Sequence, residues 1–252
     1  MNVLRSFLNA NITLSNFLDS ALPTRLREDG NKYFLSVILP MAIQKDIVIY
    51  DFGGGSQPCI DRQTKEQHNI TLTGLDISAE ELNGAPVGNY DHIIVADLCV
   101  FEGSEDADLV VGQALLEHVP DTPGTIKAIA STLKPGGRAF IFAPSRNAVF
   151  ARLNLLLPES VKQKILFSLF PSKAEGHDGF EAYYDHCTPS QIEMLADKNG
   201  LEIEKRHLFW ISSYFKIFTP AFLIWRLWQG LSYLALGKDG AETFAFVLRK
   251  KL

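Results

Sequence analysis

Cysteine is scarce in this chain of 252 residues, and its three thiols, Cys59, Cys99 and Cys187, lie far apart. Without a C-x-x-C pair, neither a zinc site nor a disulfide framework is predicted, and buried free thiols are the expected alternative. The N-terminus carries Arg5 but no sustained apolar region, so no signal peptide is predicted. Together these features predict a reducing, cytoplasmic setting.

Positive charge and long apolar runs are also lacking. The net charge of -5 argues against a general nucleic-acid binder, which would carry a basic patch. The most apolar segment, 214–236, is interrupted by Pro220, Arg226 and Gln229, and its uncharged runs are shorter than the ~18 residues of a membrane-spanning helix. With 46% hydrophobic and 21% charged residues, the chain is typical of a globular protein, and we expect one domain over residues 1–252.

An apolar, β-branched run at residues 47–50 leads into Asp51 and then into three glycines at 53–55. Ser56 and Pro58 follow as predicted cap and first-turn residues of a helix. A strand, a glycine turn and a helix form the first unit of a nucleotide-binding α/β sheet. Glycine lets the backbone approach a ligand closely. Asp51 would repel a pyrophosphate and attract a cationic amino-acid ligand.

Further apolar runs predict strands that alternate with helices, as in a parallel sheet with right-handed crossovers. The second and third strands end in acids, Asp76 and Asp97. An acid at the end of the second strand can hold the two hydroxyls of a ribose. The predicted strands after the first are residues 71–76, 92–97, 106–113, 138–144, 201–210 and 243–248.

Helices are predicted around this sheet. Residues 1–45 should form N-terminal helices, one of which ends at Pro40, and Gly200 should end a helix that begins at Pro189. Two apolar helical insertions, 145–187 and 214–236, leave from the carboxyl ends of strands, where ligands bind. We expect them to form a cap over this ligand-binding edge.

The cap has two interpretations that the sequence leaves open. Its apolar segments either pack together as a lid or meet a membrane surface. Trp225 and Trp228 are suited to a membrane interface, and Lys216 and Arg226 are predicted to reach lipid head groups. The oligomeric state cannot be predicted.

Taken in order, the motifs of residues 47–144 resemble those of class I S-adenosylmethionine-dependent methyltransferases. The resemblance implies an α/β, Rossmann-like, doubly wound sheet of seven strands in the order 3-2-1-4-5-7-6, with the last strand antiparallel. It implies S-adenosylmethionine as cofactor. The chain departs from the family pattern at Gln57, where a further glycine is common. The matching segments are residues 51–55, 74–76, 96–98, 116–120 and 133–137.

The resemblance also implies a role for single residues at the methionine end of the cofactor. Gly53 and Gly55 would let the methionine part pass close to the backbone, and Asp51 would lie near its ammonium group. Gln113, at the end of the fourth strand, would line the pocket near the sulfonium.

At the adenosine end, Asp76 would bind the ribose hydroxyls and Ile77 would lie against the adenine. Asp97 would accept a hydrogen bond from the adenine amino group, beside the backbone N–H of Leu98. The cofactor supplies an activated methyl group. The enzyme therefore needs only to align a nucleophile with it and to remove or tolerate one proton.

His186 is the candidate catalytic base, because it lies where the chain should return towards the sheet and an imidazole takes up a proton near neutral pH. The equally weighted alternative is that His186 is a polar residue whose hydrogen bonds are satisfied within the protein and that takes no part in catalysis. For His118, a structural role in the turn after the fourth strand is favoured. His177 and Asp178, taken with Asp185 and His186, fit no standard metal motif, and we expect no metal.

These residues predict methyl transfer from S-adenosylmethionine to a small or lipid-linked acceptor at oxygen, in the cytoplasm and at the inner membrane face. Nucleic acid is not expected as a partner. A non-catalytic cofactor-binding or membrane-surface protein is one alternative. An NAD-dependent oxidoreductase is another, but it would require G-x-G-x-x-G, and Pro58 stands where the last glycine belongs.

Overall fold

Seven strands form one sheet in the computed structural model, which describes residues 3–156, 181–211 and 213–252. Their order is β3-β2-β1-β4-β5-β7-β6, so the predicted topology is confirmed. The strands are β1 (Val48–Phe52), β2 (Thr71–Asp76), β3 (His92–Val95), β4 (Ala107–Gln113), β5 (Leu133–Pro144), β6 (Leu201–Phe209) and β7 (Thr243–Lys250).

Parallel pairing joins β3, β2, β1, β4 and β5, whereas β7 runs antiparallel between β5 and β6. The central strands are apolar on both sides because helices cover both faces of the sheet. Ile49, Leu72 and Val111 belong to the core on one face, and Phe52 and Val110 to the core on the other. In the pairing register, Asp51 of β1 lies beside Gly74 of β2 and Val111 of β4. The carboxyl ends of these strands therefore meet at one edge.

Eight α-helices are described along the chain, with short 3-10 helices at Thr24–Leu26, Pro40–Ala42, Ser213–Ile217 and Gly237–Gly240. The second α-helix continues as a π-helical segment, Phe34–Ile38, that ends before Pro40. The α-helices are α1 (Val3–Ser20), α2 (Gly30–Tyr33), α3 (Arg62–His68), α4 (Ala79–Asn83), α5 (Thr122–Thr132), α6 (Val149–Leu156), α7 (Pro189–Lys198) and α8 (Thr219–Leu236).

The helix after the glycine turn begins later than predicted. It starts at Arg62, and Asp61 caps it by accepting a hydrogen bond from the N–H three residues on, at 2.9 Å. Ser56 is not the cap, because its hydroxyl donates to Glu81 at 2.8 Å. The backbone N–H of Cys59 is engaged outside the helix by the Asp51 carboxylate, at 2.8 Å. This contact extends the turn before the helix can begin.

The fifth strand also begins earlier than its predicted start at residue 138. β5 already pairs with β4 at Leu133, after which the register shifts before pairing resumes at Arg138. The Lys-Pro-Gly-Gly segment therefore forms a bulge inside the strand, where Gly136 takes a φ of +80°.

The second predicted insertion is a helix at the carboxyl edge, because α8 connects the end of β6 to the start of β7. It packs against α1, with Thr219 bonded to the Asn11 side chain at 2.9 Å. Of the first insertion, α6 and residues 181–187 are described. The rest of this insertion, residues 157–180 with His177 and Asp178, lies outside the described residues. No helix in the described ranges is long and apolar enough to cross a membrane.

Candidate functional site

The glycine turn at the end of β1 is held against the neighbouring strand and against the segment after β4. Gly53 donates its N–H to the carbonyl of Leu75 at 2.7 Å and has a φ of +71°. A Cβ at this position would come within 2.8 Å of the Leu115 side chain. The turn thus requires glycine both for its conformation and for its packing.

Asp51 lies beneath this turn and is only 2% exposed. Its Oδ2 accepts hydrogen bonds from the Cys59 N–H at 2.8 Å and from the Tyr90 hydroxyl at 3.2 Å. Burial raises the pKa of Asp51 to about 6, although both hydrogen bonds favour the ionised form. The carboxylate therefore fixes the shape of the turn from below and brings a buried negative charge to it.

Tyr90 is a residue of this site that the sequence analysis missed. Its ring fits against β2 because Gly74 has no side chain, and a Cβ there would come within 2.7 Å of the ring. From this position its hydroxyl is 3.3 Å from the Gly55 carbonyl as well as near Asp51. Burial is the main cause that raises the pKa of Tyr90, so the hydroxyl remains a donor. No local motif around residue 90 signals this role.

A cleft opens at the carboxyl edge, and it brings together most of the residues predicted for the cofactor. Gly53 and Asp76 line both halves of it. One half is lined also by Gly54, Gly55, Ser56, Gln57 and Glu81. The other half is lined also by Ile77, Ala96, Asp97, Leu98, Ala114, Leu115, His118, Val119 and Pro120.

Asp76 occupies the junction of the two halves. Its Oδ1 accepts the Ser78 N–H at 2.9 Å, which fixes the carboxylate as the strand leads into α4. Burial raises its pKa, and the charge of Glu81 adds to this rise. The neighbouring Ile77 is 64% exposed and lines the cleft. Asp97 is held by a 2.9 Å bond from the N–H of Cys99.

The segment after β4 forms the opposite wall of the cleft. Ala114 adopts a φ of +52°, a strained conformation for a residue other than glycine, and its N–H bonds to Phe142 of β5 at 2.8 Å. The next turn places His118 in the cleft, where Nδ1 lies 2.9 Å from the carbonyl of Glu181. From the sequence a structural role is favoured for His118, whereas the structure places it in the wall of the cleft.

Glu117 is buried behind His118. Its Oε1 lies 3.9 Å from His118 Nε2, and its Oε2 has no hydrogen-bond partner among the described residues. Burial raises the pKa of Glu117 to about 8. A carboxyl with a raised pKa beside a cleft is characteristic of functional sites, although structural networks can also produce it.

Three predicted site residues do not line the cleft. Asp51 lies under the turn, and Gln113 donates its side-chain amide to Asn31 of α2 at 2.8 Å. His186 adopts a φ of +43° and its Nδ1 lies 2.8 Å from the Asp185 carboxylate. Asp185 in turn accepts the N–H of Thr122 at 3.0 Å, so His186 is placed at the start of α5.

Metal-binding side chains do not converge in the described ranges. No group of three or more His, Cys, Asp or Glu residues there is arranged to hold an ion.

A seven-stranded sheet of this order, with a glycine turn after β1 and acids after β2 and β3, defines the class I methyltransferase architecture. A family model described as a methyltransferase domain matches residues 24–206. The chain belongs to this methyltransferase family, and its cofactor is S-adenosylmethionine.

Individual proteins show the same relationship. A ubiquinone biosynthesis O-methyltransferase of Hydrogenovibrio crunogenus is 27% identical over 212 residues, which cover 78% of this chain and 83% of that protein. An S-adenosylmethionine-dependent methyltransferase structure from Methanosarcina mazei has a TM-score of 0.53 at 19% identity and covers 86% of this chain and 98% of that one.

The cyclase SpnF has the same fold, with a TM-score of 0.55 at 15% identity, and covers 90% of this chain and 86% of that one. The fold alone therefore does not determine the reaction.

Proposed function

We propose that this methyltransferase transfers a methyl group from S-adenosylmethionine to an oxygen atom of a small acceptor. The observation that carries the proposal is the cleft at the carboxyl edge, whose two halves share Gly53 and Asp76 and one of which is also lined by Asp97. The choice of oxygen is supported by the ubiquinone biosynthesis O-methyltransferases, which are 27% and 29% identical to this chain over 212 and 165 residues.

The cleft residues are assigned by the chemistry they can offer. The Asp76 carboxylate would accept both ribose hydroxyls, and Ile77 would cover one face of the adenine. Asp97 would accept from the adenine amino group, beside the backbone of Leu98. Gly53 leaves room for the methionine part, and the bound cofactor supplies a methyl group on a positively charged sulfur.

Asp51 contributes its charge through the turn rather than from the cleft wall. A buried carboxylate attracts an ammonium group over several ångströms, because the protein interior screens charge weakly. Gln113, tied to Asn31, would hold α2 beside the end of β4 and so limit the space near the sulfonium.

The proton of the acceptor hydroxyl would be taken up by His118. The Glu181 carbonyl can only accept a hydrogen bond, so Nδ1 carries the proton and Nε2 carries the lone pair in the neutral ring. The Glu117 carboxyl lies 3.9 Å from Nε2, and because burial raises its pKa to about 8, it is neutral beside the ring at neutral pH. His186, the base predicted from the sequence, remains the competing assignment.

The acceptor is proposed to be apolar or lipid-linked and to be reached by a cytoplasmic enzyme at the inner face of a membrane. This finer proposal is supported by the number of large apolar side chains that α1 and α8 expose.

Transfer of a labelled methyl group tests the function. Purified protein, labelled S-adenosylmethionine and a series of phenols and catechols, with and without an alkyl tail, should yield labelled ethers. Binding of S-adenosylmethionine without transfer to any acceptor would favour the non-catalytic alternative, and binding of NAD instead would favour the oxidoreductase.

Two histidine variants identify the base within the same assay. His118→Gln should lower kcat by about 100-fold and leave cofactor binding unchanged, whereas His186→Gln should leave kcat within a few-fold of wild type. The reverse pattern would assign the base to His186.

A further inference from the structure

The helix α8 is arranged with its apolar side outward. Three of the five side chains that it buries are polar: Thr219, Gln229 and Ser232. Its large exposed side chains are apolar or aromatic over the whole length of the helix: Leu223, Ile224, Leu227, Trp228, Leu231, Tyr233, Leu234 and Leu236. A surface helix in water shows the opposite arrangement.

The packing partner α1 repeats this inversion. Its fully buried side chains, among residues 4–20, are the polar Ser15 and Asp19. Leu4, Phe7 and Phe17 are between 51% and 70% exposed. With Leu14, Phe7 and Phe17 recur at spacings of seven and three residues, which places these three along one stripe of the helix.

Polar contacts hold the two helices together. Asp19 of α1 accepts from Arg226 Nε at 3.0 Å and pairs with Lys216 Nζ at 3.1 Å. Ser15 and Thr219 hydroxyls lie 3.2 Å apart, and the Arg226 guanidinium stacks over Trp225 at 4.6 Å from the ring centroid. Lys216 and Arg226 therefore do not reach lipid head groups as predicted, because both are committed to Asp19.

Exposed arginines flank α1, and the half-buried Glu28 and the exposed Asp29 follow them in the chain. Residues 3–27 contain three arginines, Arg5, Arg25 and Arg27, and a single carboxylate, which is the buried Asp19. In α8 the sole charged residue is Arg226, turned inward. A chain of net charge -5 thus presents an apolar face with exposed cations at both ends of α1. This combination matches an apolar layer bordered by anionic head groups.

We infer that the exposed stripes of α1 and α8 form one lipid-binding surface that lies in the interface of an anionic membrane. Polar contacts between helices with apolar side chains outward are stable where the surroundings are acyl chains. At 18 residues each, both helices extend about 27 Å and would lie along the membrane rather than cross it.

This surface is at the carboxyl edge of the sheet, on the same edge as the cofactor cleft, because α8 connects the end of β6 to the start of β7. The lipid-binding surface rests on the proposed function and adds to it that this edge of the enzyme meets a membrane. Vesicle binding is measured without an acceptor and without turnover, so a failure of lipid binding can be told from a failure of methyl transfer.

Trp228 provides an internal reporter of the contact. It is 45% exposed, whereas Trp210 and Trp225, the other tryptophans of the chain, are 8% and 2% exposed. Addition of phosphatidylcholine vesicles that contain phosphatidylglycerol should shift the emission of the full-length protein to the blue, and lipids brominated in their acyl chains should quench it. Trp228→Phe should abolish the shift while vesicle co-flotation persists.

Substitutions on the surface then test the assignment. Leu223→Asn/Leu227→Asn/Leu231→Asn should reduce partition into these vesicles by about tenfold or more. The control Val87→Asn/Val100→Asn removes apolar residues that are 92% and 78% exposed elsewhere and should bind like wild type. Vesicles without anionic lipid should bind more weakly.

Two outcomes would overturn the inference. One is a wild-type protein that neither floats with anionic vesicles nor changes its emission. The other is a lipid-free dimer, seen by analytical ultracentrifugation, that the triple variant converts to monomer while vesicle binding is absent. The surface would then be an interface between two copies of the chain.

Discussion

Asp51→Asn is the substitution whose consequences follow most directly from the structure. The carboxylate is 2% exposed, and the hydrogen bonds from Cys59 and Tyr90 both end on Oδ2. An asparagine can keep both bonds with its carbonyl oxygen and place its amide at the other position. The substitution thus removes the charge and leaves the turn intact.

The size of the expected change in stability comes from the pKa of this carboxyl, which burial raises from 3.8 to about 6. Ionising a group with such a shift costs the folded apo-protein about 3 kcal/mol. Because the folded-state pKa is raised, the favourable contribution of the protonated acid is complete below its unfolded pKa. It is lost as the pH rises through about 6. Above that pH, Asp51→Asn should stabilise the apo-protein by about 3 kcal/mol.

Cofactor binding should respond in the opposite direction. If the ionised carboxylate attracts the ammonium of the cofactor, wild-type affinity should fall as the pH drops below about 6, and Asp51→Asn should bind weakly at any pH. Stability and affinity would then change in opposite senses at one residue.

Thermal unfolding of the apo-proteins and calorimetric titration with S-adenosylhomocysteine, both between about pH 5 and pH 8, measure these two effects. A variant with unchanged affinity at high pH, or a wild type whose affinity is independent of pH, would refute the electrostatic role of Asp51.

Three further predictions concern other parts of the chain. Gly54→Ala should lower the free energy of unfolding by about 1–3 kcal/mol and weaken cofactor binding in calorimetry, because its Cβ would lie 2.3 Å from an Asp51 oxygen. The control Gly230→Ala, whose Cβ would have nothing within 4 Å, should raise the free energy of unfolding by about 0.5–1 kcal/mol. Asp19→Ala should cost about 3–5 kcal/mol in denaturant unfolding, because two largely buried cations lose the carboxylate that they share, and a smaller cost would mean that they reach solvent. Wild-type stability should fall as the pH rises from about 4.5 to about 8, the range over which the Glu117 carboxyl ionises in the unfolded but not the folded chain, and Glu117→Gln should not show this fall.

The topology of the sheet could be predicted from the sequence because each strand is signalled locally. β-branched runs end in Asp51, Asp76 and Asp97, and the family resemblance supplied the strand order. Helix boundaries were less accurate. The start of α3 at Arg62 depends on a hydrogen bond between Asp51 and Cys59, a tertiary contact that no local pattern reveals.

The same limit applies to the site. The positions of Asp76 and Ile77 in the cleft follow from their place at the end of a strand. Tyr90 reaches Asp51 through the space left by Gly74, and His118 is oriented by the carbonyl of Glu181, which is 63 residues away in sequence. Such long-range contacts also turn the polar side of α8 inward. The sequence showed an apolar helix but not the direction that it faces.

Calorimetric titration of S-adenosylhomocysteine into wild type and Asp76→Ala tests the central claim most directly. Asp76 joins both halves of the cleft, and the loss of its two charge-assisted bonds to the ribose should weaken binding by at least about tenfold. Glu80→Gln, an exposed acid on the adjacent α4, serves as the control and should bind like wild type. Equal affinity of Asp76→Ala and wild type would contradict the account, because the cofactor would then be bound somewhere other than this cleft.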